Sequence, residues 1–107
     1  MSLSEIATMI NSIGLPFAYR QFDAPQTTPF IVYYYDSNEP EPADNVNYVD
    51  IENLVIELYT DNKDFVKEKA VEDVLKANDL AFEKNETYIS NEKMYMITYE
   101  SEVIING

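Results

Sequence analysis

The stretch Pro29-Phe-Ile-Val-Tyr-Tyr-Tyr35 places aromatic and β-branched residues at consecutive positions. Such side chains suit the pleated surface of a sheet, so the run predicts a strand. Because a strand alternates faces, Tyr33, Tyr34 and Tyr35 must send one ring to the side opposite the other two. Two readings stay open for these rings: a contact with a partner, since Tyr is enriched at interfaces, or ordinary half-buried sheet positions. The chain holds nine Tyr and no Trp, which makes the question a general one for this protein.

Downstream, Asp36 to Asn45 carries two Pro, two Asn and four acids, Asp36, Glu39, Glu41 and Asp44. That composition buries no apolar area and predicts a flexible acidic loop over 36–47, long enough to have a job of its own. Val46 to Tyr59 is strand-like, but its alternation changes phase between Val49 and Ile51 on one parity and Leu54, Ile56 and Leu58 on the other. A β-bulge near Glu52 and Asn53 would reconcile the two. Thr60-Asp-Asn62 offers capping side chains, and Asp61 and Asp64 suit the positive end of a helix dipole.

The helix expected over 62–77 has an apolar stripe of Val66, Ala70, Val74 and Ala77 with Val71 and Leu75 beside it. Glu68, Lys69, Glu72, Asp73 and Lys76 form its charged side, and Phe65 lies off the stripe, either packed on the preceding strand end or exposed as a contact. Residues 82–89 and 93–104 read as two strands joined by a turn at Ser90-Asn-Glu92.

Upstream, Asp23-Ala-Pro25 marks a turn after a weaker strand, Phe17 to Phe22. Ser2-Leu-Ser-Glu5 fits a capping box, and apolar residues recur at helical spacing from Leu3 to Ile13 until Gly14 and Pro16 stop them. The resulting order, α-β-β-β-α-β-β, predicts an α+β fold: a mixed, mainly antiparallel sheet of about 4–5 strands with two helices packed on it. A chain of 107 residues has room for a single domain, 1–107, burying roughly two-thirds of its unfolded surface.

Net charge is −13, unevenly spread: residues 1–62 hold ten acids against Arg20 alone, and residues 63–107 hold ten acids and six Lys. Such a surface repels phosphate backbones and anionic lipids, so direct nucleic-acid and membrane binding are not expected. With no Cys, no basic and apolar leader at the N-terminus and no run of 18 apolar residues, the expectation is a cytosolic protein.

Lack of His and Cys removes the usual nucleophile–base pairs and transition-metal ligand sets. The two glycines, Gly14 and Gly107, cannot build a phosphate-cradling loop. Asp36 and Asn38 match the first and third places of an EF-hand frame, but Glu41 stands at the required Gly and Asn47 at the required Glu, so a solvated loop is the better reading. Paired carboxylates are the one remaining route to catalysis. Neither a catalytic site nor a cofactor is expected.

Several segments together resemble the tail-terminator or tail-completion proteins of long-tailed bacteriophages and prophages. They are the amphipathic start ending Ile13-Gly-Leu-Pro16, then Pro29-Phe-Ile-Val-Tyr-Tyr34, Leu54-Val-Ile-Glu-Leu-Tyr-Thr-Asp61 with its following helix, Tyr88 to Tyr95, and Thr98 to Val103. The resemblance implies a mixed α/β subunit that closes into a ring, typically of six, at the head-facing end of the tail tube. It implies tail-tube and head-completion proteins as partners, assembly in the host cytoplasm, and residence at the head–tail junction. It carries no catalytic residues. Tyr33, Tyr34, Tyr35, Asp36, Glu39, Glu41, Asp44 and Phe65 are the candidate contact residues. The competing expectation is an acidic inhibitor that mimics DNA by setting carboxylates where phosphates would lie, or another small protein-binding module.

Overall fold

The computed structural model describes residues 1–36 and 50–106. Its elements, in chain order, are α1 (Leu3–Asn11), β1 (Phe17–Tyr19), β2 (Phe30–Tyr35), β3 (Asp50–Thr60), α2 (Phe65–Ala77), β4 (Glu83–Ile89) and β5 (Met94–Ile105). The α-β-β-β-α-β-β order and the α+β class agree with the sequence reading. All five strands form one mixed sheet, ordered β1-β2-β3-β5-β4. The β1–β2 pairing is parallel, and the other three pairings are antiparallel.

Helix α1 begins at the predicted capping box: Ser2 Oγ accepts from the Glu5 N–H at 3.1 Å, and Glu5 Oε1 accepts from the Ser2 N–H at 2.8 Å. It stops at Asn11 rather than 13, and Gly14 turns the chain at φ +92°, a conformation that favours a residue without Cβ. Strand β1 ends at Tyr19 rather than Phe22, because Arg20 adopts φ +71° and swings the chain out of the sheet.

No bulge forms near Glu52 and Asn53. Residues 50–60 of β3 pair in unbroken register with residues 105–95 of β5. The change of phase is absorbed by exposure instead: Ile51 lies 60% exposed, so its apolar side chain points to solvent and the backbone needs no extra residue. The expected strand residues 46–49 lie outside the described residues.

Strand β3 runs through Thr60, which delays α2 to Phe65. The cap is accordingly Asp64, whose Oδ1 accepts from the Lys67 N–H at 3.0 Å, and not Thr60, Asp61 or Asn62. The inward stripe of α2 is also rotated from the expected one. Val71 and Leu75 are fully buried and Glu68 lies beside them, while Val66 and Ala77 are exposed.

Both helices lie on one side of the sheet. Ile6, Met9 and Ile10 of α1 and Val71 and Leu75 of α2 join Ile31, Tyr33, Leu54, Ile56, Leu58, Ile97, Tyr99 and Val103 in one hydrophobic cluster. Fully burying each aliphatic side chain contributes about 1.5–3 kcal/mol, so this layer is the main source of stability.

Candidate functional site

Register decides which side chains face away from the helices. In cross-strand pairs, Phe30 opposes Tyr59, Val32 opposes Glu57 and Tyr34 opposes Val55. Tyr59 in turn opposes Met96, and Met94 opposes Ile89. These residues share one open face, on which no described helix packs. Val32 and Val55 are nonetheless buried there, screened by their neighbours on the sheet itself.

At the end of this face where Phe30, Tyr59 and Met94 meet, the loop from Arg20 to Gln26 rises to form one wall of a groove of about 680 Å³. Its floor is apolar. Phe22 meets Phe30 edge-on at 5.5 Å, and Phe30 stacks on Tyr59 at 4.8 Å, with Val32, Ile89 and Met94 completing the lining. Asp23, Glu57 and Glu92 supply acids against the single cation Arg20. The Arg20 guanidinium sits 5.6 and 5.5 Å from the Tyr19 and Tyr34 ring centres, within cation–π range.

Glu57 is fixed by two phenols: Tyr59 Oη donates to Oε1 at 2.7 Å, and Tyr34 Oη donates to Oε2 at 3.1 Å. Burial pushes both phenols up, and the Glu57 carboxylate beside them adds to the effect. Both therefore remain protonated donors over the ordinary pH range.

On the opposite face a second polar cluster ties α2 to β4. Glu68, only 2% exposed, takes Lys84 on Oε1 at 2.9 Å. Lys63 lies 3.0 Å from Oε1 as a hydrogen bond and 2.8 Å from Oε2 as a charge contact without hydrogen-bond geometry. Lys84 also reaches Glu72 at 2.7 Å, and Tyr99 Oη donates to the same carboxylate at 2.8 Å. Burial by itself raises the Glu72 carboxyl. The bonds from Lys84 and Tyr99 and the nearby Lys84 and Lys76 charges outweigh it, so the net direction is down. Hydrogen bonds to Glu68 and Glu86 raise Lys63, and those to Glu72 and Glu68 raise Lys84. Glu68 and Glu72 converge on a lysine rather than on open space, an arrangement that locks a helix to a strand.

Among the described residues, the predicted contact residues do not share one face. Tyr33 and Tyr35 face the helices, and Tyr34 is the ring on the open side. Tyr33 packs against Phe17 and Tyr19, and burial raises its phenol. Tyr35 Oη is buried without a hydrogen-bond partner among the described residues, and burial pushes its phenol up to about 12. Asp36 is exposed and prolongs the β2–β3 pairing through its N–H to the Asn53 carbonyl at 2.8 Å. Glu39, Glu41 and Asp44 lie outside the described residues, as does the rest of the candidate loop beyond Asp36. Phe65 is 71% exposed rather than packed away against the preceding strand end, with Lys63 Nζ 4.9 Å from the ring centre.

Sequence reasoning missed Val66, which it set on the inward stripe, and Glu68, which it set on the wet one. It also missed the groove. A signal for the groove existed: apolar residues occupy both parities of β2 and of β3 from Leu54 to Tyr59, the mark of a strand with two partly buried faces. Among the described residues no group of three or more metal-ligating side chains converges, and no helix is long and apolar enough to cross a membrane. Comparison with protein-family models, curated proteins and solved structures gives no match.

Proposed function

We propose that the chain is a structural subunit of a phage or prophage head–tail junction, a tail-terminator or tail-completion protein that assembles with copies of itself into a ring. It binds no cofactor and catalyses no reaction. Its partners are the tail tube and the head-completion proteins, met first in the host cytoplasm and then in the virion. The observation that carries this reading is the open face of the sheet, where an aromatic groove lies on a side that no described helix covers. Apolar surface of this kind, rimmed by polar groups, is what a protein contact buries. The segments that resemble the family support the same reading, and an acidic lumen lets DNA pass without cationic partners for its phosphates.

Electron microscopy of the protein mixed with tail tubes tests it. Capped tube ends are expected. Bare tube ends, together with a monomeric mass by light scattering with and without tube protein, would remove the reading.

A second reading draws on one observation. Glu57, Glu83, Glu100 and Glu102 occupy the open face, while Lys67, Lys69, Lys76 and Lys84 belong to α2 and the helix side of β4. A surface on which acids outnumber cations, here with Arg20 at the groove, can imitate DNA. Binding of the protein to a nucleic-acid enzyme at low salt would favour this alternative.

A further inference from the structure

Two large apolar side chains stand exposed on the first turn of α2: Phe65 at 71% and Val66 at 75%. Lys67 and Lys69 follow them. Lys67 makes no ion pair among the described residues, and Lys69 pairs only with Asp73 on its own helix, at 3.0 Å. The groove lies at the same end of the sheet, since Thr60, which leads into α2, follows Tyr59 of the groove floor. Knob and groove are therefore separate patches: one belongs to the helix layer, the other to the open face.

Charge decides how such patches can meet. Two open faces brought together would set Glu57, Glu83, Glu100 and Glu102 against their own copies, a like-charge juxtaposition that opposes the contact. The helix face is of mixed charge, with Asp61, Asp64 and Asp73 beside Lys67, Lys69 and Lys76, so an open face set against it meets lysines as well as acids and is repelled less than by its own copy. The apolar match runs the same way, with exposed Phe65 and Val66 opposite the Phe22, Phe30, Tyr59 and Met94 lining.

We propose that the Phe65–Val66 knob of one copy seats in the groove of the next, with Lys67 and Lys69 directed to Asp23 and Glu92 on its rim. The contact joins unlike patches, so each subunit offers a knob to one neighbour and a groove to another, and repetition closes a ring or extends a filament. This inference rests on the reading of the chain as a self-assembling subunit, and it names the residues that join the copies.

The chain contains no cysteine, so introduced thiols report without background. Val66→Cys and Met94→Cys subunits are prepared separately, mixed and mildly oxidised. The mixture is expected to yield a covalent dimer that neither variant forms alone. In parallel, Phe65→Asp and Phe22→Asp each sediment as monomers where the unaltered protein sediments as an oligomer, and their mixture recovers dimers, because one intact knob and one intact groove remain. Phe65 is exposed, so its variant retains the unaltered circular dichroism spectrum. Assembly of Phe65→Asp like the unaltered protein would overturn the inference, as would Val66→Cys cross-linking to itself as readily as to Met94→Cys. An unaltered protein that stays monomeric at every concentration reached would do the same. Cross-linking as expected without capping of tail tubes rejects the head–tail reading alone, whereas tubes capped by Phe65→Asp reject this contact alone.

Discussion

The two faces of the sheet draw on similar residues and put them to different ends. On the helix side, Leu54, Ile56, Leu58, Ile97 and Tyr99 are at most 1% exposed, and the buried Glu68 carboxylate is met by lysines from neighbouring elements. On the open side, Phe30, Tyr59, Met94 and Met96 are only half-buried, and the central Glu57 is held by two phenols that compete with no cation. A face covered by helices has its apolar area removed from water, whereas the open one leaves part of its apolar area in solvent. The acids differ too: Glu68 and Glu72 on the helix side pair with lysines, whereas Glu57 and Glu100 on the open side accept from neutral donors, Tyr34, Tyr59 and Asn53.

The largest expected break between the faces is in core truncation. Leu58→Ala, at a fully buried helix-face position, should destabilise by about 2–5 kcal/mol. Met96→Ala on the open face should cost less than about 1.5 kcal/mol, since its side chain already meets solvent. Urea midpoints at constant slope read the difference. Equal losses would mean that the open face is covered too.

Next in size is the buried carboxylate. Glu68→Ala should cost about 1–3 kcal/mol, below the usual figure for breaking a buried pair, because Lys63 and Lys84 are about a third exposed and can rehydrate. Glu68→Met, which refills the space, should recover part of the loss.

Alkali should act on both faces with one sign. Tyr34, Tyr35, Tyr59 and Tyr99 are raised by burial, so above about pH 10 the unfolded chain releases phenolic protons that the folded chain retains. The unfolded state then binds fewer protons, and stability falls as pH rises. Lys63 and Lys84, also raised, contribute stability that is present below about pH 10.4 and lost above it. Glu72 is lowered, so its contribution is present above about pH 4.3 and lost as pH falls through its folded value. Urea midpoints should be level through neutrality and fall toward either extreme, and Tyr35→Phe should soften the alkaline fall.

Smallest is the phenol pair on the open face. Tyr59→Phe and Tyr34→Phe should each cost about 0.5–1.5 kcal/mol. The double variant should depart from additivity because both bond to Glu57. Strict additivity would show that the carboxylate is not their common anchor.

Much of this molecule was legible in its residues. The capping box at Ser2, the aromatic run at Phe30–Tyr35, the terminal hairpin and the order of elements follow from local rules that act over a few positions. The candidate contacts were legible only in part. Phe65 is exposed and Tyr34 is the odd ring out, but exposure of Val66 and burial of Glu68 depend on how far α2 turns about its axis. That rotation is set by where β3 ends and by Lys84 arriving from β4, neither of which periodicity records. The expected bulge failed for a related reason: alternation cannot tell whether an apolar residue near a strand end, such as Ile51, is covered or wet.

Taken alone, the amino-acid sequence determined the element types, their order and the shortage of catalytic side chains, because propensity, capping and composition are properties of neighbours along a chain. Only the tertiary structure decided which face each strand turned to the helices, where Phe22, Phe30, Tyr59 and Met94 would meet, and which carboxylates would find lysines. Those outcomes depend on register and packing between segments far apart in the chain, where a shift of one residue exchanges the two faces.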